Sequence, residues 1–223
     1  MAYHPLDTIV AVASPSGGAA RGVVRLSGPR VVECVERLFT PGNATQSRAL
    51  DAVSTPFVPQ EHATFAERKA TFMPSRGPTA ADGWLLLPGV HSPLPAEMYF
   101  WPDGRSYTGQ PVVEFHTIGS PPLLDAVVRA ACEAGTRLAE PGEFTLRAFL
   151  SGRVDLTQAE AVLGIIEAND DSQLDVALGQ LAGGLSRPLH ELRERLLDLL
   201  GHIEAGLDFA DEDLPFIARD QLV

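Results

Sequence analysis

Residues 138–161 read LAEPGEFTLRAFLSGRVDLTQAEA and place a turn, a short helix, a second turn and the start of another helix in succession. The Pro-Gly pair at 141–142 is a turn dipeptide. Apolar side chains recur at helical spacing after it, which predicts a helix over Glu143–Leu150 with one buried face. The Ser-Gly pair at 151–152 ends this helix, because glycine accepts the left-handed cap conformation without a steric cost.

A second helix should begin soon after this stop. Arg153 stands at the corner between the two helices, and either Asp155 or Thr157 can cap the second one. The pattern favours Thr157, because Glu160 then takes the reciprocal position of a Thr-x-x-Glu capping box.

The chain before this corner mixes strands with helices. Hydrophobic periodicity predicts strands at 8–13, 22–27, 84–87, 97–101, 112–116 and 136–139, and helices at 30–39 and 121–135. Residues 40–82 are weakly patterned, and we expect two edge strands there, near 63–65 and 70–73. Residues 77–83, GPTAADG, are typical of a turn.

After residue 150 a period of 3.6 residues takes over, which predicts helices over Thr157–Asn169 and Asp171–Leu207. The Gly-Gly pair at 183–184 weakens the second of these helices. Pro188 favours a kink or a break near the same place, because it removes one backbone hydrogen bond.

The last predicted helix carries an apolar stripe that two helices alone would cover poorly. The stripe consists of Leu192, Leu196, Leu199, Leu200 and Ile203. We expect part of it to be exposed or covered by another copy of the chain. The fold class we predict is α+β, with a mixed α/β domain over residues 1–150 and an incomplete all-α domain over residues 151–223.

The composition is that of a folded but acidic protein. Of the 223 residues 45% are hydrophobic, the net charge is −12, and Lys69 is the single lysine. Phosphate affinity comes mostly from clustered Lys and Arg, so this chain alone should bind nucleic acid poorly. No apolar run approaches the ~18–20 residues of a membrane helix, and the N-terminus lacks the pattern of a secretion signal. We expect a cytoplasmic protein without a membrane partner.

Two cysteines, Cys34 and Cys132, lie in apolar, helix-like contexts. Two buried thiols in a reducing compartment fit this pattern better than a disulfide or a catalytic thiol.

Arg25 and Glu114 are charged residues in the middle of predicted strands, each flanked by apolar neighbours. Charged side chains are uncommon at strand centres unless they are paired or line a site. Two interpretations stay open. The two side chains form an ion pair on one face of a sheet, or both line a ligand pocket.

Other patterns do not predict chemistry. The six histidines are scattered without zinc-binding spacing, so we predict no metal site, and we predict no catalytic residue. The acidic residues between 208 and 213 fit a solvated helix end better than a cation site. The glycine-rich segment 14–22 is either a flexible loop or a ligand-contacting one. It is not a phosphate loop, because no Gly-Lys-Ser/Thr follows.

The stretch 138–161 resembles the start of the helical domain in the MnmE (TrmE) family of tRNA-modification GTPases, where a PGEF-x-x-RAF-x-NGK-x-DL-x-QAEA run is typical. Further stretches match the family in the same order: DTIVA at 7–11, RGVVRLSG at 21–28, SYTG at 106–109, VVEF at 112–115 and AGLDFADE at 205–212. Because the matches run from one end of the chain to the other, the resemblance is specific.

The resemblance implies an N-terminal domain that is similar to folate-dependent aminomethyltransferase domains and binds 5-formyltetrahydrofolate or a related tetrahydrofolate. Glu114 matches the family position whose carboxylate accepts the N–H and amino groups of a pterin edge. Arg25 matches another ligand contact. Arg153 falls where the family usually has a lysine that touches the folate, so it keeps the charge but not the shape.

Three residues depart from the family pattern at the edge of this pocket. Gln110 and Pro111 stand where the family has Glu-Asp, and Ile118 replaces a polar residue. They support a rival hypothesis, a non-catalytic dimerisation scaffold with a degenerate folate pocket. A free-standing folate-dependent aminomethyltransferase is a third alternative, against which the chain length and the helical tail argue.

The resemblance also implies partners for the whole protein. They are a second copy bound through the N-terminal domain, an MnmG-type flavoprotein, and tRNA bound by the whole complex, which forms a 5-carboxymethylaminomethyl-type modification at the wobble uridine. GTP, Mg²⁺ and K⁺ would belong to a GTPase domain. The chain has no Gly-x-x-x-x-Gly-Lys-Ser/Thr, Asn-Lys-x-Asp or terminal Cys-x-Gly-Lys motif. We therefore expect either a fragment that ends near the start of that domain or a naturally truncated protein, and we favour the fragment.

Overall fold

The computed structural model describes residues 7–42 and 77–208. Within them the strands are β1 (Ile9–Val12), β2 (Ala19–Ser27), β3 (Phe39–Pro41), β4 (Thr79–Leu85), β5 (Leu94–Trp101), β6 (Val112–Gly119) and β7 (Arg137–Leu138). The helices are α1 (Val31–Leu38), α2 (Pro121–Glu133), α3 (Glu143–Leu150), α4 (Leu156–Glu167), α5 (Asp171–Leu181) and α6 (Ser186–Asp208). The edge strands predicted near 63–65 and 70–73, and the acidic residues after 208, lie outside the described residues.

The described strands form a seven-stranded sheet in the order β3-β4-β5-β6-β2-β1-β7. Neighbouring strands run antiparallel, except that β7 runs parallel to β1. The order makes β6 and β2 central neighbours although about 90 residues separate them along the chain. In this pair Arg25 lies opposite Glu114.

One face of the sheet packs against α1 and α2 to form the hydrophobic core. Alternation along each strand sends every second side chain to this face, and those of β2, β5 and β6 are fully buried there: Val24, Leu26, Met98, Phe100, Val113 and Phe115. The helices contribute residues at helical spacing: Val31, Val35, Leu124, Val127 and Ala131. Because the core takes one set of alternating residues, the other set, which includes Arg25 and Glu114, is directed to the second face.

The turn predicted at residues 77–83 is wrong, because β4 begins at Thr79 and pairs with β5 along its whole length. Backbone pairing between the two strands overrides the local turn preference of the Asp-Gly pair at 82–83. Gly83 has a packing role instead. A Cβ atom there would overlap the carbonyl oxygen of Thr40 and the ring of Phe39 on β3.

The helix over Glu143–Leu150 is confirmed, and the following helix begins with a different cap from the favoured one. Asp155 is the N-cap residue of α4, and its carboxylate accepts the backbone N–H of Gln158 at 2.8 Å. The Gln158 side chain accepts the Asp155 N–H in return. Thr157 is wrong as the cap, because it lies inside the helix and donates its hydroxyl to Asp155. The Asp155 carboxylate lies two residues before Thr157 and accepts an N–H group at the start of the helix, so Asp155 takes the capping role.

The single helix predicted over Asp171–Leu207 is divided into α5 and α6. The break occurs at the predicted weak point, where Gly183 adopts a left-handed φ of +88°. Pro188 lies in the first turn of α6. Backbone N–H groups in the first turn of a helix have no partner within that helix, so a proline is tolerated there.

The chain divides into two compact units, Met1–Arg153 and Val154–Val223. The first contains the sheet with α1 to α3, and the second contains α4 to α6. A sheet domain followed by helices confirms the α+β fold class. In the described part of the chain, no helix is both long and apolar enough to cross a membrane.

The apolar stripe on α6 is largely uncovered. Leu192, Leu196, Leu200 and Ile203 are each between 46% and 55% exposed, whereas Leu199 is half-buried. The exposure agrees with the expectation that part of this stripe is exposed. That another copy of the chain covers the stripe stays a prediction.

Candidate functional site

Arg25 and Glu114 meet on the second face of the sheet. The Arg25 Nε donates to the Glu114 Oε1 at 2.7 Å, and the two side chains are 31% and 17% exposed. The ion pair anticipated from the sequence is therefore formed. It is not sealed in the interior, because both side chains keep partial exposure to solvent.

His116 holds the second oxygen of the same carboxylate. Its Nε2 lies 3.0 Å from the Glu114 Oε2, and because an ionised carboxylate only accepts hydrogen bonds, Nε2 carries the hydrogen. Burial acts to raise the pKa of Glu114. The hydrogen bond from His116 and the charge of Arg25 lower this pKa by more than burial raises it, so the pKa lies below its ordinary value. Glu114 is thus ionised at neutral pH and oriented by two donors.

A second set of polar side chains continues along this face. Arg21 and Tyr99 both donate to the Glu97 Oε2, the tyrosine hydroxyl at 3.1 Å. The Tyr99 ring lies beside the His116 ring, with 4.7 Å between the centroids. We call the six side chains of this face the polar strip: Arg21, Arg25, Glu97, Tyr99, Glu114 and His116. The strip contains two arginines and two glutamates.

The helix α3 borders the polar strip. The Arg25 guanidinium lies 5.7 Å from the centroid of the Phe144 ring, which is within the range of a cation–π contact. Arg25 is therefore held from two directions, by a carboxylate in its own sheet and by an aromatic ring on the helix.

Charged residues behind α3 anchor it to the sheet. Arg137 makes two hydrogen bonds to the Glu143 carboxylate, at 2.7 and 2.8 Å, and a third to Asp7. Arg147 is 1% exposed and donates to Glu143 and to the backbone oxygens of Asp7 and Ser27. The hydrogen bonds from Arg137 and Arg147 outweigh burial and lower the pKa of Glu143 to about 2. These bonds fix α3, and with it Phe144, against the strands.

Gln110 belongs to the same anchoring network. Its side-chain oxygen accepts from the Arg147 Nη1 at 2.8 Å, and its backbone oxygen accepts from the Ser106 hydroxyl. A neutral amide oxygen thus serves Arg147 where the family pattern has a carboxylate. Pro111 accepts the Gly28 N–H at its carbonyl oxygen, and Ile118 is 49% exposed.

Arg153 is placed apart from the charged pair. Its side chain is exposed, and its backbone N–H closes the end of α3 on the Ala148 oxygen at 2.9 Å. In residues 7–42 and 77–208 its side chain makes no hydrogen bond or ion pair with Arg25 or Glu114. The structure brings two of the three predicted site residues together and leaves the third at the adjacent corner.

Sequence reasoning missed four members of the polar strip: Arg21, Glu97, Tyr99 and His116. A signal was available for two of them, because Glu97 and Tyr99 alternate with the apolar residues Met98 and Phe100 along one strand. The partner strand of β5 was needed to show that they share a face with Glu114. Glu143 and Arg147 were missed as an ion pair although they are four residues apart on a predicted helix.

The two cysteines do not pair with each other. Cys34 is buried, Cys132 is half-buried and both are free, so the disulfide alternative is wrong. Burial raises the pKa of the Cys34 thiol and opposes formation of the nucleophilic thiolate. Among the residues that the structure describes, no cluster of three or more His, Cys, Asp or Glu side chains could hold a metal ion.

Comparison with known proteins gives matches along the whole chain. The family described as GTP-binding protein TrmE N-terminus matches residues 8–153, and the MnmE helical domain matches residues 156–223. The tRNA modification GTPase MnmE of Rhodopirellula baltica is 46% identical over 217 residues, which cover 97% of this chain and 41% of that protein. The tRNA modification GTPase MnmE of Aquifex aeolicus is 37% identical over 217 residues, 97% of this chain and 42% of that protein. The chain spans about two fifths of the length of these relatives.

Proposed function

The chain belongs to the MnmE (TrmE) family of tRNA modification GTPases, and we propose from this premise that its sheet domain binds a tetrahydrofolate derivative and dimerises. Ligand binding and dimerisation would both belong to the domain over residues 1–150, and residues 151–223 would form the N-terminal part of a helical domain.

The observation that carries the folate proposal is the Glu114 carboxylate. It is ionised, half-buried and held by Arg25 and His116 on a sheet face that is reachable from outside the core. Each carboxylate oxygen has two lone pairs and accepts one protein hydrogen bond, so each retains one acceptor position. A pterin presents an N–H and an amino group on one edge, and a carboxylate that accepts both gives a strong two-point contact.

Arg25 and Arg153 have different proposed roles. Arg25 donates to Glu114 through Nε, so the two terminal nitrogens of its fork can donate to a ligand group such as a pterin carbonyl or a carboxylate. Arg153 is exposed at the corner after α3 and would contact the ligand from outside the sheet. We propose that Arg25, Glu114 and Arg153 bind and orient the ligand, and we assign none of them a role in proton transfer.

The proposed partners belong to the whole protein. A second copy would bind through the N-terminal domain, and an MnmG-type flavoprotein and tRNA would join to form the 5-carboxymethylaminomethyl-type modification of the wobble uridine. GTP, Mg²⁺ and K⁺ would act in a GTPase domain. The net charge of −12 supports the proposal that other parts of the complex make most of the contacts to tRNA.

One observation favours a second candidate, the scaffold with a degenerate pocket. Both Glu114 oxygens already accept hydrogen bonds from protein groups. If those bonds satisfy the carboxylate fully, the polar strip is only a structural feature of the sheet, and the domain would serve for dimerisation alone.

Calorimetric titration with 5-formyltetrahydrofolate separates the two candidates. We expect the chain to bind, and Glu114→Ala to weaken binding at least about tenfold, because a hydrogen bond to a charged group contributes ~1.5–3 kcal/mol. Glu114→Gln keeps the shape of the side chain and controls for folding. Glu33→Gln, in an exposed Arg–Glu pair on α1, is a control outside the strip. Absent binding, or binding that Glu114→Ala leaves unchanged, would favour the scaffold.

A further inference from the structure

The polar strip contains a second carboxylate that has unused acceptor capacity. Arg21 and Tyr99 both donate to the Oε2 of Glu97. Its Oε1 accepts no hydrogen bond from any residue that the structure describes, and its side chain is 21% exposed. By contrast, Glu114 is bonded at both oxygens. Glu97 therefore keeps one whole oxygen for a ligand, whereas Glu114 keeps one acceptor position on each oxygen.

The register of β5 and β6 places the two carboxylates at diagonal positions. Glu97 lies opposite His116, and Tyr99 lies opposite Glu114. Diagonal neighbours in an antiparallel pair have Cβ atoms roughly 7 Å apart. This separation is comparable to the length of a fused two-ring heterocycle, so one such ligand lying across the two strands can meet both carboxylates.

We propose that Glu97 is a second ligand-contacting carboxylate of the same site, and that it selects reduced pterins over oxidised ones. The inference rests on the proposed folate binding. Dihydro- and tetrahydropterins carry a hydrogen on N8, and 5-formyltetrahydrofolate retains it. In folic acid N8 is an aromatic ring nitrogen with a lone pair and no hydrogen. A carboxylate oxygen accepts the N8–H of a reduced pterin but repels the lone pair of an oxidised one.

Its neighbours prepare Glu97 for this role. The Arg21 guanidinium pairs with the Glu97 carboxylate, and a carboxylate accepts hydrogen bonds only. Burial and the bond to Glu97 raise the pKa of Tyr99, so its hydroxyl keeps its proton at neutral pH and remains a donor. Because both donors engage Oε2, they orient the side chain while leaving Oε1 for the ligand.

The test measures selectivity as well as affinity. The chain is titrated in a calorimeter with 5-formyltetrahydrofolate, 7,8-dihydrofolate and folic acid. We expect both reduced ligands to bind roughly tenfold or more tightly than folic acid, as one charge-assisted hydrogen bond predicts. In Glu97→Gln the two reduced ligands should lose about tenfold in affinity, folic acid should change little, and the preference should nearly vanish. Tyr99→Phe keeps the ring and should weaken the preference partially.

Glu33→Gln is the matched control, because its glutamate also accepts from an arginine but lies on the exposed surface of α1. It should leave all three affinities unchanged. If Glu114→Ala weakens folate binding while Glu97→Gln changes neither affinity nor preference, the role of Glu97 is wrong and the proposed function survives. If the chain binds no folate, or if Glu114→Ala has no effect, the proposed function fails and the inference fails with it.

Discussion

Arg147 donates a hydrogen bond from its Nη2 to the Oε1 of Glu143, one helical turn earlier on α3, at 3.0 Å. Both side chains are buried, and Arg137 reaches the same carboxylate from β7. Buried charges persist only when they are paired and hydrogen-bonded. Because Arg137 of β7 binds the Glu143 carboxylate that Arg147 also binds, this cluster fixes the orientation of α3 relative to the sheet.

The stability of the sheet domain should depend on pH through Glu143. Its pKa falls from an ordinary 4.5 to about 2, mainly because of the hydrogen bonds from Arg137. A carboxylate with a lowered folded-state pKa stabilises the protein fully above 4.5, and this stabilisation is lost as pH falls toward 2. The full effect is on the order of 3 kcal/mol. Urea unfolding of the wild type at pH values between 7 and 3, followed by tryptophan fluorescence, measures it.

Glu143→Gln should be less stable than the wild type at pH 7, because two arginines lose their buried anion. The difference should shrink toward pH 3, where the wild type has lost part of its advantage. Glu33→Gln should follow the wild-type curve. Parallel curves for wild type and Glu143→Gln over this pH range would contradict the assignment.

The pKa of Glu114 should rise when its donors are removed. His116→Phe removes the hydrogen bond to Oε2 but keeps a ring beside Tyr99, and Arg25→Met removes the neighbouring charge while keeping an extended side chain. Burial alone raises the pKa of this carboxyl, and the two donors reverse that effect. Carboxyl carbon NMR titration of the two variants measures the change. An unchanged Glu114 pKa in both would show that neither contact persists in solution.

Gly109 should resist substitution more strongly than a glycine with the same backbone conformation elsewhere. It adopts a φ of +72°, and a Cβ atom there would lie 2.6 Å from the Ser151 Cβ. Gly152 has a φ of +70° and nothing within 4 Å of its Cβ position. Gly152→Ala should cost about 1 kcal/mol for the left-handed conformation alone. Gly109→Ala should cost at least about 1 kcal/mol more, measured by denaturant unfolding. Equal costs would mean that the 106–109 turn does not contact the end of α3.

Asp155 and Thr157 should differ as caps of α4. Asp155→Ala removes the acceptor of the Gln158 N–H and should destabilise the helix by ~1 kcal/mol. Thr157→Ala removes only a donor to Asp155 and should cost a few tenths of that. Hydrogen exchange of the Gln158 amide reports the difference directly, with faster exchange in Asp155→Ala. Faster exchange in Thr157→Ala, and not in Asp155→Ala, would contradict this assignment and identify Thr157 as the cap.

Local patterns in the sequence predicted the elements that depend on near neighbours. The helix Glu143–Leu150, the strand alternation around Arg25 and Glu114, and the weak point at 183–184 all follow from spacing and backbone preference. The strand at Thr79–Leu85 was predicted as a turn, because its Asp-Gly pair suits one and only the pairing with β5 overrides that preference.

The α+β class, the family and the two charged residues in an apolar sheet follow from the amino-acid sequence, because periodicity and motif order can be read without knowledge of contacts. Which groups those charges meet depends on how distant strands pair in the folded chain. Glu97, Tyr99 and His116 join Arg25 and Glu114 because strands β2, β5 and β6 pair in one particular register. Register is a long-range property, and a shift of one residue would turn every one of these side chains to the opposite face.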